Sequence, residues 1–187
     1  MVGGRRCLGF LVALMLSLAV VSAVGAAPTT YTDPQGRFSF TAPDGFRRGS
    51  PQTAFVSYES TSLTGVSFNV GIVPGEPSDA TLTNIVAQSI PGLRRSFSGY
   101  QQGPATYTAT TLAGQPAVLI ESFISVEGTP AHILQYALIY GSNFYVLTFG
   151  ATTANYDTAL AQTRIVRDSF TFLTGPQGDE VHRLGNG

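Results

Sequence analysis

Two side chains in this sequence could carry acid–base chemistry, and they lie eleven positions apart. Glu121 interrupts the apolar run Ile120-Glu121-Ser122-Phe123-Ile124, and His132 follows Pro130-Ala131. A carboxylate held among apolar neighbours can have a raised pKa and act as an acid or base. An imidazole changes charge near neutral pH. His132 has no histidine or carboxylate at metal-ligand spacing, so it reads as a surface or strand-edge residue. Glu121 reads as a charge on the open part of a sheet face. His182, the other histidine, falls in the C-terminal segment and reads as inert. Asp33, Asp44, Glu76 and Asp79 sit in turn-forming stretches and could offer oxygens to calcium. They lack the spacing of a calcium loop, and turn formation or helix capping explains each of them. Calcium is therefore the one cofactor left open; no other follows.

Several chemistries are excluded outright. There is no lysine, hence no Schiff base and no Ser-Lys pair. No phosphate loop, dinucleotide fingerprint, Gly-x-Ser-x-Gly or paired-histidine zinc motif occurs. The single cysteine, Cys7, lies within the first 27 residues, so the remainder has no disulfide, thiolate nucleophile or thiolate metal site. Beyond Ala27, eight arginines face eleven acidic residues, a net charge of −3. Nucleic-acid binding needs clustered cations, and only the pairs Arg47-Arg48 and Arg94-Arg95 occur. The catalytic set is empty and the chain reads as a non-enzyme. Tyrosine is favoured at contact surfaces. Of Tyr58, Tyr100, Tyr107, Tyr136, Tyr140 and Tyr145, the pair Tyr136 and Tyr145 is the candidate partner-binding patch, if the two meet across the last hairpin. The competing reading is cross-strand packing beneath a helix.

The segments that would position these residues begin after an export signal. Arg5 and Arg6 precede the apolar run Gly9 to Val21, and small residues follow up to Ala27. That is the layout of a cleaved secretory signal over 1–27, with the cut between Ala23 and Ala26. The apolar run is short for a membrane span. A location outside the cytoplasm, periplasmic or extracellular, is expected. About 160 residues remain, enough for one domain without covalent staples.

Within 28–173 the pattern alternates between strand and helix periods. Asp33-Pro34-Gln35-Gly36 is a type I turn signal. Phe38 and Phe40 alternate with Ser39 and Thr41 and share one strand face. Pro43-Asp44-Gly45 closes that strand, and Phe46 follows as a core contact. Strands are expected over Thr53–Glu59 and Val66–Val73. A helix follows, capped by Asp79 or Thr81, with Leu82, Ile85, Val86 and Ile90 on one stripe. Pro91-Gly92 should end or kink it. Four strands are expected near Ala105–Leu112, Gln115–Val126, His132–Tyr140 and Asn143–Ala151. A second helix runs from about Asn155 to Ser169, and Phe170-Thr171-Phe172 is a last short strand. The segment 174–187 reads as a disordered tail. The expected fold is α+β: a central antiparallel β-sheet with a helix packed on each face, an α/β/α sandwich.

With these segments in order, the chain resembles the PsbP-like superfamily. That group includes the extrinsic PsbP subunit of photosystem II, bacterial DcrB-like periplasmic proteins and a Ran-binding nuclear-transport family. The residues that carry the resemblance are Tyr31, Asp33-Pro34, Gly36-Arg37-Phe38-Ser39-Phe40 and Pro43-Asp44-Gly45-Phe46, with a helix running into Ser169-Phe170. It covers about Pro28 to Leu173. The resemblance implies a secreted or periplasmic, non-enzymatic binding or assembly factor. Its partner would be a protein at the outer face of a membrane, a photosystem among the assemblies the family serves. Two departures mark this chain: Phe46 stands where a Trp is usual, and the lysines through which photosystem subunits of this type dock are missing. The alternative is an extracytoplasmic carrier of a small ligand or of calcium.

Overall fold

The turn at Asp33 sets the first layer. In this computed structural model, which describes residues 28–50, 55–74 and 81–173, the Gly36 amide donates to the Asp33 carbonyl at 2.8 Å. Strands β1 (Thr29–Thr32) and β2 (Phe38–Ala42) close around that turn, with Tyr31 opposite Phe40. Arg37 folds back on Asp33 as a two-pronged pair, Nε to Oδ2 at 2.6 Å and Nη2 to Oδ1 at 3.1 Å. Burial pulls the Asp33 pKa upward, but the bonds and charge of Arg37 outweigh it, so the carboxyl titrates below its usual range. Both oxygens of Asp33 are thus committed to the turn. The signal and tail expectations for 1–27 and 174–187 lie outside the described residues, as do Glu76 and Asp79.

The alternating rings of β2 leave the main sheet and lie over it. Phe38 and Phe40 are fully buried. Both stack on Phe170, at 5.3 and 6.3 Å between ring centres. Phe40 meets Tyr58 and Phe68 edge-on at 5.7 and 5.5 Å. Strand β11 (Thr171–Phe172) pairs with β2, giving a three-stranded sheet of order β1-β2-β11. The expectation of one central sheet is corrected here. Period-two alternation marks a strand with one buried face, and a strand lying across a sheet has that face as surely as one within it.

The larger sheet has eight strands. They are β3 (Phe46–Arg48), β4 (Val56–Ser60), β5 (Ser67–Pro74), β6 (Ser98–Gln102), β7 (Ala109–Leu112), β8 (Gln115–Val126), β9 (Thr129–Tyr140) and β10 (Asn143–Thr152). The order is β3-β4-β5-β10-β9-β8-β6, with β7 also pairing β8 and every pairing antiparallel. Two-residue loops join the long strands. Glu127 and Gly128 both have positive φ, 50° and 82°, as a type I′ turn requires. Strand β6 has no counterpart among the expected strands, and the strand expected over Ala105–Leu112 shortens to β7. Residues 103–108 fold into a turn against β8 instead.

Helix α1 (Leu82–Ser96) starts at Thr81, whose hydroxyl accepts the Asn84 amide at 3.3 Å. It continues through Pro91 rather than ending there. Pro91 is on the exposed face, away from the apolar stripe, so the i→i−4 hydrogen bond it removes is not one beneath the core. Leu93 thereby joins Val86 and Ile90 on the buried stripe. These three share a cluster with Val118, Ile120, Ala137, Phe144 and Val146. Helix α2 (Tyr156–Ser169) buries Ala159 and Val166 among the other set, which holds Tyr136, Leu138, Tyr145 and Leu147 together with the rings of the small sheet. Asn155 precedes α2 without a side-chain cap; its Nδ2 donates to the Thr64 carbonyl at 2.9 Å. Ser169 fastens the other end by accepting the Thr41 amide at 2.9 Å. Among the described residues no helix is long and apolar enough to cross a membrane.

Candidate functional site

The β8–β9 hairpin brings together the two residues that the sequence leaves apart. Its turn sets Val126 opposite Thr129, so Phe123 faces His132 and Glu121 faces Leu134. Glu121 and His132 are then diagonal neighbours on one sheet face. His132 Nε2 lies 2.8 Å from Glu121 Oε1, and each side chain is about 12% exposed. The expected surface histidine without a carboxylate partner is corrected by this contact. The register was readable from the two-residue loop, but starting the strand at His132 hides it.

The rest of the cluster closes around this pair. Glu121 Oε2 accepts the Ala105 amide at 2.9 Å. The Glu121 carbonyl accepts the Gly103 amide and the Thr106 hydroxyl, each at 2.8 Å, and Thr106 Oγ1 accepts the Glu121 amide at 3.0 Å. Gly103 leaves the space that the carboxylate fills: a Cβ there would stand 2.7 Å from Glu121 Cδ. The imidazole lies against Phe123 at 4.4 Å and against Tyr156 of α2 at 3.5 Å, near parallel to the latter. Glu121 therefore ties three elements together: the 103–108 turn, strand β9 and, through His132, the first turn of α2. Both carboxylate oxygens have partners and the imidazole has aromatic neighbours. The arrangement is a fastening.

Tyr156 records how closed the cluster is. Burial first, and then the nearby Glu121 charge, push its pKa up to about 12. A phenol with a raised folded pKa contributes stability that is complete below its unfolded value, about 10. That contribution disappears as pH rises through the folded value. Tyr156→Phe keeps the ring on His132 and removes the ionising group. Its denaturant stability should fall less steeply than wild type between pH 10 and 12. Parallel curves would contradict the closed geometry.

Tyr136 and Tyr145 are placed elsewhere than the surface patch requires. They are 7% and 2% exposed, and Tyr136 faces Leu147 while Tyr145 faces Leu138, so they do not pair across the hairpin. Tyr145 meets Phe38 and Phe172 edge-on at 6.3 and 5.0 Å. Tyr136 meets Phe149 at 6.2 Å. The small sheet and α2 close over this face, and buried rings offer a partner no surface. Of the turn carboxylates considered for calcium, Asp33 is consumed by Arg37 and Asp44 stands exposed in its turn. No group of three or more metal-ligating side chains forms among the described residues.

No protein-family model matches the chain, and no curated protein matches its sequence. Solved structures do match. The cyanobacterial PsbP (CyanoP) of Synechocystis superposes with a TM-score of 0.61 at 18% identity, over 83% of this chain and 98% of that one. LpqN of Mycobacterium tuberculosis, involved in cell envelope biogenesis, gives 0.55 at 16% identity, over 78% and 90%. The Ran-binding protein Mog1p of Saccharomyces cerevisiae gives 0.52 at 10% identity, over 76% and 94%. This chain has the PsbP-like fold, α+β with two helices and antiparallel sheets, as its opening turn and strand led one to expect.

Proposed function

We propose that this chain is an exported, non-catalytic accessory protein that holds a protein partner at the outer face of a membrane. The observation that carries the reading is the closed state of the Glu121–His132 cluster. The acid–base pair within it is spent on joining a turn, a strand and a helix. The fold adds support, because its matches include a Ran-binding protein and one involved in cell envelope biogenesis. Export is supported by the Arg5-Arg6 and apolar-run layout of residues 1–27. The finer architecture belongs to the same reading: an α/β/α sandwich in which α1 and α2 take opposite faces of the long sheet. Its support is the alternation of β9, where Ala137 clusters with α1 residues and Tyr136 and Leu138 with α2 residues.

A carrier would need a cavity. The hollow between α2 and the sheet, lined by Leu134, Phe149, Tyr156 and Leu160 among others, holds about 10 Å³, room for a single water. That hollow does not favour a carrier.

The test is a pull-down with the processed chain as bait on its own membrane fraction, read by mass spectrometry with and without calcium. One protein retained saturably and displaced by unlabelled chain is the expected result. No displaced protein, together with turnover or saturable binding of a small molecule, would overturn the reading. A calcium-dependent yield would bring the turn carboxylates back as ligands.

A further inference from the structure

No further inference is drawn: the strongest candidate, the Tyr31 hydroxyl, buried beside Arg48 between the small sheet and the larger one without a hydrogen-bond partner among the described residues, belongs to a side chain packed among the rings of Phe38, Phe40 and Tyr58, and nothing in the structure shows what would reach it.

Discussion

Phe38→Ala should destabilise the protein by about 3–5 kcal/mol, the range for deleting a buried ring. The ring has no exposed surface. It stacks on Phe170 at 5.3 Å, just beyond α2, and meets Tyr145 of the long sheet edge-on at 6.3 Å. One side chain therefore joins the small sheet, the end of α2 and the larger sheet. Truncation opens a cavity where three layers meet, and the close-packed rings around it can collapse only partly. Chemical denaturation with a two-state fit measures the loss. A change below about 1 kcal/mol, the size of an ordinary surface substitution or little more, would mean that the small sheet is not held in the way described.

Glu121→Ala should have the second-largest effect. The substitution strands the Ala105 amide and the His132 ring nitrogen and empties the space above Gly103. Both stranded partners are part-buried, which puts each toward the lower end of the roughly 1–3 kcal/mol cost of an unsatisfied group, so a total loss of roughly 2–4 kcal/mol is expected. The loss should be uneven. Hydrogen exchange should accelerate most at Thr106, Tyr107 and Thr108, whose amides depend on the turn's shape. Glu121→Gln keeps an acceptor for one of the two donors and should fall between wild type and alanine. Uniform acceleration across the sheet, with the turn no worse than β10, would contradict the role of Glu121 as its clamp.

The sequence showed the turns and periods, because those are local. Asp33-Pro34-Gln35-Gly36 formed the turn its residue types require, β8 occupies the expected Gln115–Val126, and the stripe of α1 falls where i, i+3, i+4 spacing puts it. Strand β6 escaped because Ser98 to Gln102 is polar and mostly exposed, so it has no hydrophobic period to read. The second sheet escaped because Phe38 and Phe40 alternate identically whether their strand lies in a sheet or across one. Tyr136 and Tyr145 looked like surface candidates for the same reason: a tyrosine on a strand gives no local sign of the layer that will cover it. The Glu121–His132 contact was legible. It needed only the assignment of Glu127-Gly128 as a two-residue loop, from which the register follows by counting.

We propose that this chain works by binding a protein at a membrane surface. The most direct measurement is sedimentation of the processed chain with its own membranes before and after protease shaving of those membranes. Saturable binding that disappears on shaving is the predicted result. Binding that survives shaving undiminished, or no binding to untreated membranes, would contradict the claim.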